Sequence, residues 1–267
     1  MNKLRQVPIF TIEGTSFLVD VHKQVLRQTN DQDNEISFIN NMQDHGTFYR
    51  LLYDPDEKCS AEDLIDQSRV KVIDIPPLTE LDPEGMSVRY GIPENRLKGK
   101  TDFEVIVDQD WLKERQNGVL PRINIAGEEF TIDLRLQELR HTKYFFPVIS
   151  LKSFELTTDG EYYQAFYHPA MKQVVSIDPK LTEFPESIIQ IRLPNELGLD
   201  PVATARRYGV DENDLLRRYP PKKDLQAAVI PLADTGLPAL IRQNREQLQK
   251  EHAEIARRIR PPHWPHF

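Results

Sequence analysis

The sequence predicts an α+β fold: a tandem duplication of a small module, rich in antiparallel sheet and closed by a short helix, with a further helix at the C-terminal end. Three observations point there. Two long stretches of the 267-residue chain match one another in register. Within each, apolar and polar residues alternate between glycine-bearing turns, which is the period of a half-buried strand. Each stretch then ends in an Asp-Pro start and a glycine stop, the marks of a helix.

The match begins with Val7-Pro8-Ile9-Phe10-Thr11-Ile12-Glu13-Gly14 against Leu120-Pro121-Arg122-Ile123-Asn124-Ile125-Ala126-Gly127, an offset of 113 positions. It runs ungapped through Asp20 and Asp133, Leu26-Arg27 and Leu139-Arg140, and Ile36-Ser37 and Ile149-Ser150. One inserted residue then raises the offset to 114, where Gly46, Tyr49, Tyr53, Pro55 and Lys58 meet Gly160, Tyr163, Tyr167, Pro169 and Lys172. A loop difference raises it to 118, where Pro76, Leu81-Asp82-Pro83, Arg89-Tyr90-Gly91 and Leu97 meet Pro194, Leu199-Asp200-Pro201, Arg207-Tyr208-Gly209 and Leu215. Blocks that keep their order and differ in length only between them are the signature of an internal repeat. The expected organisation is a first module over 1–113, a second over 114–236, a C-terminal amphipathic helix over 237–260 and a Pro-rich tail over 261–267.

Each module reads as follows. Phe17, Val19 and Val21, like Phe130, Ile132 and Leu134, alternate with polar positions and predict strands. Glu13-Gly14 and Ala126-Gly127 lie between two such runs, where glycine supplies positive φ for a hairpin. Pro8 and Pro121 stand at strand starts, where a missing amide hydrogen costs no ladder bond. Aromatic strands are expected at 47–53 and 161–167, and further strands at 70–75 and 188–193. Asp82 and Asp200 are the expected N-caps of the closing helices, Pro83 and Pro201 their first residues, and Gly91 and Gly209 their stops. Tyr90 lies one turn from Met86 and Tyr208 one turn from Thr204, which predicts both tyrosines on the sheet-facing side.

Composition narrows the function classes. A single cysteine, Cys59, excludes an intrachain disulfide and fits a reducing, cytoplasmic location. No secretory signal is expected, and no stretch approaches the length of a membrane span, so no membrane partner is expected. The net charge of -8 is uneven: residues 1–113 carry 13 Lys and Arg against 21 Asp and Glu, and the remainder 21 of each. An acidic first half repels phosphate backbones and disfavours DNA as a partner.

The segment from Ala203 to Leu216, with Arg206-Arg207-Tyr208-Gly209-Val210 at its centre, resembles the core of a helix-turn-helix. That resemblance implies Asn213 near base edges, with Arg206, Arg207, Arg217, Arg218, Lys222 and Lys223 as the cations. Glu212 and Asp214 oppose it, because they occupy the start of the second helix, where base edges and phosphates need donors. A helical hairpin that caps the sheet accounts for the same residues.

Ala233-Asp234-Thr235-Gly236 resembles the Asp-Thr-Gly loop of the aspartic proteases, but the first copy has no such triplet, and a helix start explains it. Asp20 and Asp133 repeat as carboxylates, as do Arg27 and Arg140 beside them, which suits turn bonding and ion pairing. His252, His263 and His266 lack the companions of a metal site, and no metal is expected. Glycine-rich phosphate loops and a Gly-x-Ser-x-Gly elbow are absent from the sequence. No catalytic residue and no cofactor is assigned.

The C-terminal helix carries Ile241, Leu248, Ile255 and Ile259 as a narrow stripe at near-heptad spacing. Either its own module or a partner covers that stripe, and Trp264 and Phe267 in the tail could anchor in a groove. The favoured expectation is a non-catalytic protein-binding adaptor. The alternative is a nucleic-acid-associated protein that uses the 203–216 segment.

Overall fold

The computed structural model describes residues 5–61 and 68–259, and its fold is α+β with several antiparallel sheets and a C-terminal helix. The chain divides into two compact units. One is Met1–Asn117 joined by Ala205–Pro221; the other is Gly118–Thr204 joined by Lys222–Phe267. The segment 205–221, which the sequence places in the second module, therefore belongs with the first unit, and the C-terminal helix with the second.

In the first unit, β1 (Ile9–Ile12), β2 (Thr15–Asp20), β3 (Val25–Gln28) and β4 (Glu35–Ser37) form one antiparallel sheet in chain order. Glu13 and Gly14 both take positive φ (47° and 80°), the two-residue turn whose twist matches that of the strands it joins. A second sheet is built on β6 (Tyr49–Asp54), which pairs β5 (Met42–Asp44), β7 (Cys59–Ser60) and β8 (Lys71–Ile75). Fully buried Phe17 meets Tyr53 edge-on at 6.5 Å and joins the two sheets through the core.

Four short helices follow: α1 (Leu78–Leu81), α2 (Pro83–Tyr90), α3 (Asp102–Ile106) and α4 (Gln109–Gln116). Asp82 caps α2 by accepting from Gly85 N at 2.9 Å, and its otherwise enclosed charge is matched by the two-pronged guanidinium of Arg5 (2.5 and 2.6 Å).

The second unit uses the same order of pairing. Strands β9 (Arg122–Ile125), β10 (Glu128–Asp133), β11 (Glu138–His141) and β12 (Val148–Ser150) form one sheet. The next sheet contains β13 (Glu155–Leu156), β14 (Tyr162–His168), β15 (Gln173–Val175) and β16 (Ile189–Pro194). The chain then runs through α5 (Glu196–Leu199) and α6 (Pro201–Tyr208) into α7 (Glu212–Arg218), which belongs to the first unit. After α7 the chain adds β17 (Leu225–Gln226) parallel to β9 and β18 (Ala228–Ile230) antiparallel to β16, then ends in α8 (Leu237–Ile259).

Backbone strain recurs at matching places. Glu13 and Ala126 have φ of 47° and 51°, Gln24 and Gln137 have 55° and 56°, and Lys58 and Lys172 have 59° and 54°. Left-handed backbone is costly for a side chain other than glycine, so each pair marks a turn that the sheet pairing dictates. Phe17 and Phe130 are both fully enclosed, and Asp82 and Asp200 are both buried and both cap the helix that follows. Tyr208 departs from expectation. It is exposed, because α6 buries Val202, Thr204 and Ala205 instead.

A buried polar relay secures α7 in the first unit. Arg217, almost wholly enclosed, donates to Asp44 (2.7 Å) and to the Tyr49 hydroxyl (2.6 Å). Tyr49 in turn donates to Asp102 (2.8 Å), whose carboxylate also accepts from the amides of Leu78 and Thr79 (2.9 Å each). Those amides open α1, where Pro77 offers no side-chain cap, so Asp102 supplies it from α3. Burial pushes the pKa of both Tyr49 and Asp102 up. Tyr49 thus stays a phenol, able to donate to one neighbour and accept from the other.

Tyr167 is the contrasting case: burial pushes its pKa up to about 12, and its enclosed hydroxyl has no hydrogen-bond partner among the described residues. We expect Tyr49→Phe to cost about 2 kcal/mol, since it leaves Arg217 and Asp102 short of a partner. Tyr167→Phe is expected to be neutral or stabilising by up to about 1 kcal/mol. Urea unfolding of the two variants checks the contrast.

Candidate functional site

The residues of the helix-turn-helix resemblance do not form one cationic face. Arg217 is committed to Asp44 and Tyr49 and is withdrawn from solvent, which removes it from any nucleic-acid contact. Arg218 donates to Asn40 (2.6 Å) and to the Ile39 carbonyl (3.3 Å), and Arg206 pairs with Glu212 at 3.5 Å. Asn213 is exposed on the rim of a cleft of about 520 Å³ that Asp44, Asp211 and Asp214 also line, so its surroundings are acidic. Asp211 serves as the N-cap of α7 by accepting from Asp214 N at 2.9 Å. Arg207, Lys222 and Lys223 are exposed, the two lysines in the second unit.

The carboxylates at matching positions of the two stretches serve structure. Asp20 accepts from Lys23 N (3.0 Å) and pairs with Arg27 (2.9 Å), while Asp133 accepts from Leu136 N (3.1 Å). Arg140 turns instead to Glu138. Thr235 starts α8: its hydroxyl accepts from Leu237 N (3.1 Å) and donates to the Leu232 carbonyl (2.7 Å), which accounts for the Asp-Thr-Gly triplet. Burial pushes the Cys59 thiol up, away from the thiolate a nucleophile needs. Among the described residues no group of three or more His, Cys, Asp or Glu side chains could hold a metal ion, and no helix is long and apolar enough to cross a membrane.

The stripe on α8 divides in two. At its start Leu237 and Ile241 are buried, and the helix is tied down by Asn244 to the carbonyls of Pro179 and Leu181 (2.8 Å each) and by Arg245 to that of Thr182 (2.6 Å). A groove of about 390 Å³ lined by Phe184, Pro238, Ile241 and Arg242 flanks this anchor. From Arg245 to Arg257 every residue is exposed, Leu248 at 42% and Ile255 at 53%. Ile241 is therefore an anchor rather than a docking residue. The Ile259 side chain, Trp264 and Phe267 lie outside the described residues.

One surface went unread in the sequence. The loop between β11 and β12 exposes Tyr144, Phe145 (92%) and Phe146 (74%) in succession. Its base is ordered by His141, whose Nδ1 accepts from the amides of Lys143 (3.0 Å) and Tyr144 (3.3 Å). The ring proton therefore sits on Nε2, which donates to Glu128 at 3.0 Å. His141 and Lys172 hold the Glu128 carboxyl below its ordinary range. The signal was in the sequence match: at the same offset of 113 the first stretch reads Asn30-Asp31-Gln32-Asp33-Asn34 where the second reads Lys143-Tyr144-Phe145-Phe146-Pro147. Tyr144 packs against the His141 ring at 4.7 Å, while Phe145 and Phe146 project beyond it, and contiguous exposed apolar surface marks interaction.

Comparison with protein-family models, with curated proteins and with solved structures gives no match to this chain.

If the two halves of α8 differ as described, Ile241→Ala costs about 2–4 kcal/mol through the cavity it leaves. Leu248→Ala and the double change Phe145→Ser with Phe146→Ser are expected to stay within about 0.5 kcal/mol of the parent. Denaturant midpoints of the three proteins provide the comparison.

Proposed function

We propose that this chain is a non-catalytic binding protein, made of two modules related by duplication, that engages a protein partner through the distal half of α8. The observation that carries this reading is the uncovered pair Leu248 and Ile255, set seven residues apart and seven beyond the anchored Ile241. Apolar residues repeating at seven favour a helical partner that lies along the stripe. At 23 residues α8 spans about 35 Å, long enough to present several turns beyond its anchor. The exposed aromatic loop 144–146 adds a second apolar surface of the kind that partners cover.

The matched positive-φ turns and the paired helix caps support the duplication. The polar residues kept in both copies are spent on turns and caps, which speaks against catalysis. A lone cysteine supports a reducing compartment, such as the cytoplasm. The nucleic-acid reading loses ground with Arg217, Arg218 and Arg206 all engaged within the fold.

The test compares the full chain with its Leu248→Glu, Ile255→Glu double variant. Immobilised at equal density, the parent is expected to retain at least one protein that the variant loses, at unchanged thermal stability. Identical sets of retained proteins would remove α8 as the docking element.

A further inference from the structure

The second unit closes its two sheets with a strand pair that the first unit lacks among the described residues. In the second unit Leu225 and Gln226 run parallel beside Ile123 and Asn124 of β9, and the Ala227 amide donates to the Asn124 carbonyl at 2.8 Å. The chain then crosses to the other sheet, where Ala228, Val229 and Ile230 run antiparallel beside Arg192, Ile191 and Gln190 of β16. Leu225 is buried in the core, and Ile123 and Ile191 are fully enclosed.

By the repeat register, the positions facing this segment in the first unit are Phe10 and Thr11 on β1 and Val72, Ile73 and Asp74 on β8. Among the described residues β1 pairs only with β2, and β8 only with β6. Ile9 is 61% exposed and Val72 60%, and Phe10 and Ile73 are half-buried where their counterparts are enclosed. The stretch that corresponds in sequence to β17 and β18 runs instead from the end of α3 into α4. Among the described residues both edges therefore stand open in the first unit.

We infer that the first unit accepts an extended peptide strand from a partner protein, laid along β1 and then along β8. Open strand edges offer unpaired amides and carbonyls as a template, and a segment added there is held by its main chain, with specificity supplied by alternate side chains. The second unit shows the chemistry that fits: a leucine directed into the core, small residues at the crossing between sheets, and β-branched residues along the second edge.

Charge specifies the flanks. The first unit holds 18 Lys and Arg against 25 Asp and Glu, so it favours a strand with basic neighbours, as Leu225 has in Lys222 and Lys223. The Lys71–Glu13 pair (2.5 Å) stands where the second unit has Ile189 and Ala126. Both members are largely exposed, and such pairs yield readily to a competing interaction. The strand comes from a different protein rather than a second copy, because each copy already spends its own Leu225–Ile230 segment in its second unit. This inference does not rest on α8.

The experiment uses the full chain and a labelled peptide of its own residues 222–231 (Lys-Lys-Asp-Leu-Gln-Ala-Ala-Val-Ile-Pro) as the probe, read by fluorescence anisotropy. Saturable binding is expected, weakened about tenfold or more by Thr11→Pro, which removes a donor from the β1 edge, and by Val72→Pro on the other edge. Replacing the peptide's leucine by aspartate tests the same contact without altering the protein, and is expected to abolish binding. The Leu248→Glu, Ile255→Glu chain should bind the peptide as the parent does, so the two readings can fail separately. Absence of saturable binding, or equal affinity for the aspartate peptide, would overturn the inference. So would a concentration-dependent dimer of the parent that the peptide dissolves, because it assigns the edges to a second copy.

Discussion

The Asp102 carboxylate is where the first unit is held together. It lies out of solvent yet satisfies three donors: two amides at the start of α1 and the Tyr49 hydroxyl on β6. Arg217 reaches the same hydroxyl from a segment more than a hundred residues later in the chain. Enclosing a carboxylate is expensive unless every lone pair has a partner, and the neighbouring guanidinium compensates only while the geometry is kept. Strand, capped helix and returning helix therefore stand or fall together. Tyr53 and its match Tyr167 behave alike, each enclosed with a hydroxyl that has no hydrogen-bond partner among the described residues.

Much of this architecture was legible in the residues. The hairpin turns at Glu13-Gly14 and Ala126-Gly127, the capping aspartates and the stops at Gly91 and Gly209 are local devices, and local devices leave local marks. The long-range assignments were not legible. Arg217 reads as a surface cation beside Arg218, since nothing in its neighbourhood reveals that Asp44 and Tyr49 await it. Tyr208 repeats Tyr90 in sequence but not in environment. The stripe on α8 was visible as a pattern, whereas the division at Arg245 between its anchored and uncovered parts depends on carbonyls at 179–182 that no periodicity announces.

The two units share a scaffold and differ in what they leave uncovered. A polar loop at 30–34 has an aromatic counterpart at 143–147, and a pair of open edges in one unit is closed by β17 and β18 in the other. Positions where the two units part company without cost to the shared pairing are free to serve recognition, and the aromatic loop and the open edges lie at such departures. The residues that both units share are those of turns, caps and core.

The return of α7 to the first unit also bears on how the polypeptide matures during translation. Asp44, Tyr49 and Asp102 are made first, but the guanidinium that completes their bonding emerges only after strands β13 to β16 have been synthesised. The strands that close the second unit, β17 and β18, end thirteen residues after it. The two units thus reach completion within a short span of synthesis, and a nascent chain that has reached only residue 117 holds an unfinished domain rather than a finished one.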